Sequence, residues 1–228
     1  MHEFPKYRAP SGGDVVELVR RHPFALVVSA GAGAAPVATH TPVVIPASAT
    51  ASDTLVGQTL LGHVARANPQ WRRLAGGDPV LLVFSGPHGY VSPTSYEFTP
   101  AVPTWDYAAV HLTARVEVLQ ERADCLHVVT ETVRAAEDLM PSRWDMTPSL
   151  DVFERIVGGV VGFRFEVTDE RAVFKVSQDQ PDDVRRRVAR DARERGDAHG
   201  DLAALVDSGG SLAPPPGDQA CPYRGDAS

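Results

Sequence analysis

Apolar positions along the chain come mostly in short alternating or continuous runs up to about residue 119, and mostly at helical spacing after it. Ser11-Gly12-Gly13-Asp14 ahead of Val15–His22 supplies a capping side chain, an acidic first turn and terminal arginines, which predicts a short amphipathic helix closed by Pro23. The β-branched runs Phe24–Ala30 and Val37–Ile45 predict a hairpin joined by GAGAAP at 31–36, and 46–57 reads as a polar loop. A third strand ends near Gly62, and Asn68-Pro69 then starts a helix carrying Trp71 to Leu74, stopped at Gly76-Gly77.

Pro79–Ser85 is a nearly continuous apolar strand, and Thr104–Leu119 alternates with Val110, Leu112, Ala114, Val116 and Val118 on one face. Residues 121–138, 148–158 and 181–195 have helical period, and 160–176 reads as a strand pair turning at Asp169-Glu170. From 208 the chain is rich in Gly, Pro and Ser, the pattern of a mobile tail. Strands that do not alternate regularly with helices argue for an α+β fold, an antiparallel split β-barrel with peripheral helices, as one domain over 1–207.

Composition narrows the function classes. A chain of 228 residues with 43% hydrophobic and 22% charged residues buries a sizeable core, and a net charge of −7 has the wrong sign for a protein that wraps nucleic acid. Cys125 and Cys221 form no CxxC, zinc or c-type haem spacing, and the N-terminus lacks an apolar signal, so a cytoplasmic protein with no membrane association is expected. Only Lys6 and Lys175 are lysines among 22 basic residues, which takes mechanistic weight from any one arginine.

Reactive side chains concentrate at LLGHVARANPQW (60–71), where His63 at a strand end is either a metal or haem-iron ligand or a hydrogen-bonding cap. His40 and His111 lie inside strands and His88 on a loop, without HExxH or paired spacing for zinc. The stretch 86–107 holds four prolines, aromatic residues including Tyr96 and Trp105, and the acids Glu97 and Asp106, more stiffness and polarity than a passive connector needs. Lys175, at the end of a strand, suits contact with an acidic group or plain exposure. The arginine-rich 182–195 reads first as a salt-bridged face and second as a nucleic-acid helix.

Together, HPFALVVSA, ATHTPVVI, LLGHVARANPQW, VFSGPHGYVSP, VPTWDYAAVH and FKVSQDQP resemble, in order from about residue 4 to 190, the PaiB-type FMN-binding regulators of the split-barrel flavoprotein fold. The resemblance implies a homodimer with its cofactor pocket near the subunit interface. Ser95 stands where the regulators have tryptophan, the lysine after the following tyrosine is absent, and Asp106 replaces asparagine. PTxYExTPAxPTW over 93–105, WDMT at 144–147 and FKxSQxQP are similar to the haem-dependent piperazate synthases, an offshoot of the same family.

That similarity implies haem b as cofactor, with FMN as the alternative, and N5-hydroxy-L-ornithine as substrate, cyclised to L-piperazic acid with loss of water. It implies His63 as axial ligand, Arg66 on a cofactor carboxylate, Tyr96 and Trp105 beside the cofactor, and Glu97 and Lys175 in proton transfer or substrate carboxylate contact. Two other functions remain open, a flavin- or haem-sensing regulator and a flavin-dependent oxidoreductase, because fold alone does not choose among them.

Overall fold

The computed structural model describes residues 1–30, 35–196 and 200–212. Six antiparallel strands, β1 (Phe24–Ser29), β2 (Val37–Val44), β3 (Thr59–Ala65), β4 (Val80–Val91), β5 (Thr104–Leu119) and β6 (Val160–Lys175), close into a barrel in the order β1-β2-β3-β6-β5-β4. The ring shuts where Leu26 of β1 pairs with Val83 of β4. Alternation fills it: Val27, Val43, Leu60, Leu82, Phe84, Val110, Leu112, Phe163 and Phe165 point inward and are buried. Each fully buried phenylalanine contributes on the order of 2–3 kcal/mol by leaving water.

Helices seal the barrel. Helix α1 (Gly12–Arg21) begins where Ser11 Oγ accepts from the Asp14 amide at 3.2 Å, and its Leu18 lies so close to Gly86 that a Cβ there would stand 3.0 Å from Leu18 Cδ1. Helix α2 (Gln70–Leu74) starts with Asn68 Oδ1 accepting from the Gln70 amide at 2.9 Å, as Asn68-Pro69 predicts. Helix α3 (Arg122–Glu137) lays Val128 over Val44, Leu61 and Leu119 on the barrel's outer side. Helices α4 (Leu150–Ile156), α5 (Asp182–Glu194) and α6 (Gly200–Asp207) complete the chain.

Four local expectations change. Residues 160–175 form one strand, not a strand pair: Asp169 and Glu170 face Thr113 and Leu112, and a bulge at Thr168 absorbs the extra residue. Of the polar pair that looks like a turn, Asp169 is exposed while Glu170 is half-buried and accepts from the Leu55 amide at 2.7 Å. Strand β4 likewise runs through Gly86-Pro87 to Val91 by a bulge between Ser85 and His88, so the free connection shrinks to residues 92–103. His63 lies inside β3, paired with Gly162, rather than at a strand end.

The fourth change concerns the tail. Helix α6 buries Leu202, Ala203, Leu205 and Val206, and Leu212 docks on α1 through its amide to Asp14 Oδ1 at 2.6 Å and its carbonyl to Arg21 Nη2 at 2.7 Å. Residues 208–212 are therefore packed on the domain, and the rest of the expected tail, like residues 31–34 of the GAGAAP link, lies outside the described residues.

Candidate functional site

Strand β5 opens with Trp105, Asp106 and Tyr107, and the alternation that buries Ala108 and Val110 also buries Asp106. Its carboxylate is entirely out of solvent (0% exposed); Ser177 Oγ donates to Oδ2 at 2.5 Å, while Oδ1 has no partner among the described residues. Burial pushes the Asp106 carboxyl up to about 6, opposed by the Ser177 bond and the Lys175 charge. An acid with that value titrates close to neutrality, the range in which a group holds or gives up a proton during turnover.

Lys175 ends β6 opposite Tyr107. Its Nζ donates to the Trp105 carbonyl at 2.9 Å and to Thr104 Oγ1, and stands 5.7 Å from the Tyr7 ring centroid, within cation–π range. Beyond it Ser177 takes a positive φ of 56°, and Gln178 returns its Oε1 to the Val176 amide at 2.8 Å, which aims the Ser177 hydroxyl at Asp106. Tyr7 and Lys6 both bond Asp179, at 3.1 and 2.8 Å, pinning the N-terminal segment to the same turn.

These groups border a cavity of about 370 Å³ roofed by residues 96–104 and lined by Tyr7, Tyr96, Phe98, Asp106, Lys175 and Ser177 among others. Tyr96 is buried and stacks on Phe98, rings 5.6 Å apart at 15°, and burial raises its phenol above the ordinary value. The roof is fixed from outside by Arg187 of α5, which donates to the carbonyls of Ser95 at 3.0 Å and Tyr96 at 2.9 Å. A larger cavity, about 720 Å³ between α1, the 45–58 loop and α3, has its acids satisfied: Glu131 accepts from the Ala47 amide and Arg134, and Glu17 from Arg20 and Arg21.

A second grouping forms around β3. His63 is half-buried on the outer side, its neighbours Gly62 and Val64 facing the core. A Cβ on Gly62 would stand 3.0 Å from Phe165 Cε2 and 3.1 Å from the Pro42 carbonyl, so glycine is what lets β3 approach there. Desolvation lowers the His63 imidazole below its ordinary value, favouring the neutral form, and Nδ1 is buried without a partner among the described residues.

Arg66 is committed to structure: Nε donates to the Gly158 carbonyl at 2.8 Å and Nη2 to that of Val160 at 3.0 Å, tying β3 to the start of β6. His40 stacks on exposed Phe24, and His88 lies 6.3 Å from Trp105. Trp105 itself turns outward, half exposed, beside Tyr90.

Of the residues singled out from sequence, the fold brings Tyr96, Lys175 and the backbone of Trp105 together around Asp106. Glu97 is exposed and does not line the cavity, its carboxylate 3.6 Å from Arg187 on the outer side of the roof. His63 and Arg66 do not join them: His63 pairs with Gly162 and Lys175 lies at the far end of β6, about 40 Å along the strand at ~3.3 Å per residue. Ser177 and Asp179 carried no signal beyond the SQDQP motif, and Tyr7 none.

The family model described as "Putative FMN-binding domain" matches residues 1–169. The chain belongs to this PaiB-like FMN-binding family. Among its relatives is the "Protease synthase and sporulation protein PAI 2" of Bacillus subtilis, 34% identical over 180 residues, 77% of this chain and 82% of that one. The conserved hypothetical protein Rv2991 of Mycobacterium tuberculosis superposes with a TM-score of 0.53 at 11% identity, covering 79% of this chain and 94% of its own. A "putative 5-nitroimidazole antibiotic resistance protein" of Bacteroides thetaiotaomicron gives 0.50 at 12%, covering 75% and 92%. At such identities the likeness is one of fold, and it agrees with the barrel expected for a PaiB-like chain.

Within this PaiB-like chain the arginine-rich helix α5 spends its charge internally. Arg185, Arg187, Arg190, Arg193 and Arg195 each pair with an acid of α5 or its neighbours, while Arg186 is exposed.

Proposed function

We propose that this protein is a haem-dependent piperazate synthase, converting N5-hydroxy-L-ornithine to L-piperazic acid and water by joining the α-nitrogen to N5. The observation that carries the reading is convergence on one cavity. Asp106, Tyr96 and the SQDQP turn, where the chain departs from the regulator pattern or follows the synthase pattern, border the same space as Lys175.

The donor set at His63 fits haem. Among the described residues no three His, Cys, Asp or Glu side chains gather to hold a bare metal ion, whereas a porphyrin brings four nitrogens and asks the protein for one neutral imidazole. His63 is such an imidazole, half-buried on the barrel's outer side next to Gly162, over which Val128 and Leu119 pack. When bound, haem would supply iron chemistry that weakens the hydroxylamine N–O bond. The protein's residues would position the chain of the substrate: Lys175 holds its carboxylate, Glu97, on the loop that covers the cavity, gives a proton to departing hydroxide, and the Tyr96–Phe98 stack excludes water.

Because His63 and Lys175 stand near opposite ends of β6, the reading requires a homodimer in which His63 of one protomer meets the pocket of the other. The outward residues Leu26, Val28, Leu81 and Val83 on β1 and β4 are only half-buried, apolar surface of the kind an isologous interface covers.

The test is an absorption spectrum of purified, haem-supplemented protein, then N5-hydroxy-L-ornithine in the same cuvette with mass analysis for loss of one water. A Soret band with conversion is expected, and His63→Ala loses the haem. Protein that takes up no haem and leaves the substrate intact overturns the proposal. Family membership favours a second reading, a flavin protein, for which flavin absorption without conversion is the signature.

A further inference from the structure

We propose that the cavity beneath residues 96–104 is an α-amino-acid head-group site, in which Asp106 Oδ1 accepts a hydrogen bond from the ligand's α-ammonium and Lys175 Nζ pairs with its α-carboxylate. The proposal rests on the synthase reading for which amino acid is bound, but the site's chemistry stands on its own geometry.

Three observations lead to it. Asp106 is completely buried in the cavity wall, one oxygen saturated by Ser177 and the other without a donor among the described residues. A buried carboxylate oxygen left unpaired costs the desolvation of a charged group, so a fold that retains one keeps a place for a donor. Lys175 spends two of its three N–H donors on Thr104 and the Trp105 carbonyl, leaving one for a ligand. Lys175 pairs with Tyr107 and so leaves β6 on the face opposite Asp106, but its Nζ reaches round the strand end to Thr104 Oγ1, on the Asp106 side of β5, and both side chains line the same cavity. A cation and an anion so placed match a zwitterion, whose carboxylate and ammonium sit on one carbon.

The surroundings agree. The Tyr7 face and the stacked Tyr96–Phe98 pair give the wall an aromatic surface that tolerates a cation and packs an aliphatic chain. The other charged groups that face the pair, Asp179 and Lys6, neutralise each other at 2.8 Å. The raised Asp106 value is what an empty ammonium subsite produces: without its cation, the buried carboxyl prefers its proton. Phe98 and Val102, 50% and 77% exposed, mark the side on which the cavity meets solvent.

Isothermal titration of the purified full-length chain tests the site without turnover, because ligands lacking the N-hydroxyl cannot react. L-Ornithine and L-norvaline, both with the α-ammonium and α-carboxylate, are expected to bind. 5-Aminopentanoate, lacking the α-amine, and 1,4-diaminobutane, lacking the carboxylate, are each expected to bind at least about tenfold more weakly. Asp106→Asn weakens L-ornithine by a similar factor. Equal binding of 5-aminopentanoate and L-ornithine, or no binding of any of the four, overturns the proposal, and the wild-type series decides this even if the variant fails to fold. Failure of the synthase reading looks different: L-ornithine then binds with the stated selectivity while N5-hydroxy-L-ornithine is returned unchanged.

Discussion

Ser177 Oγ donates to Asp106 Oδ2 at 2.5 Å across 71 residues of chain, and this one bond joins the start of β5 to the turn that follows β6. Both partners are buried, Ser177 in a left-handed backbone conformation and Asp106 with its second oxygen unpaired. The arrangement costs stability and holds a carboxyl that titrates near neutrality in a cavity wall.

The cost is measurable through pH. The folded Asp106 carboxyl stands at about 6 against an ordinary 3.8, so between these values the native state binds more protons than the unfolded chain. Stability therefore falls as pH rises from about 4 to 6, by on the order of 3 kcal/mol, and stays lower above that window. Asp106→Asn, which keeps an acceptor for Ser177 and cannot ionise, is expected to be more stable than wild type by about 1–3 kcal/mol at pH 7.5 and equal to it near pH 4. Denaturant melts at the two pH values check this; a variant less stable by the same amount at both refutes it.

Arg187→Ala releases the carbonyls of Ser95 and Tyr96 that its guanidinium holds at 3.0 and 2.9 Å. The expected loss is about 1–3 kcal/mol, with faster proteolytic nicking within 92–103 than elsewhere. Arg187→Lys restores little, because a single ammonium cannot reproduce the planar fork. Unchanged nicking of that segment would mean the roof is held by its own prolines and stacked rings.

Gly62→Ala tests how His63 is carried. The new methyl would press on Phe165 and the Pro42 carbonyl at 3.0 and 3.1 Å, so β3 must shift, at about 1–3 kcal/mol by the usual overpacking cost. The shift moves the next residue, and haem affinity by Soret titration is expected to drop more than the melting temperature alone accounts for. Affinity equal to wild type in a destabilised variant would separate haem binding from β3.

The barrel was legible because its strands alternate: Val110, Leu112 and Ala114 read as one face, and that face is the core. Bulges were not legible. The extra residue at Thr168 and the passage of β4 through Gly86-Pro87 depend on which partner strand lies alongside, which no local pattern encodes, so β6 looked broken and β4 looked short. His63 looked like a strand end because Gly62 resembles a stop, whereas the glycine is there for contact with Phe165. Asp106 stood out as one of two acids in the 86–107 stretch and as a replaced asparagine, but not as a buried one. Its burial follows from sharing a face with Ala108 and Val110 in the strand expected over 104–119, a parity that a carboxylate in an otherwise apolar row disguises.

The separation of His63 from Lys175 leads to the last prediction. If both serve one reaction, each working site takes one residue from each protomer, and neither single variant works alone: His63→Ala lacks haem, whereas Lys175→Ala keeps haem and loses rate, as does Glu97→Gln. Mixing unfolded His63→Ala and Lys175→Ala chains and refolding them together should then regain activity. A hybrid dimer pairs one intact His63 with one intact Lys175 at one of its two sites, and random association makes half the dimers hybrid, so about a quarter of wild-type turnover returns. Haem content should reach about half of wild type by the same pairing, since each Lys175→Ala chain supplies one axial histidine. A mixture that binds this haem and shows no turnover would place His63 and Lys175 in separate functions and return the Asp106 cavity to a role of its own.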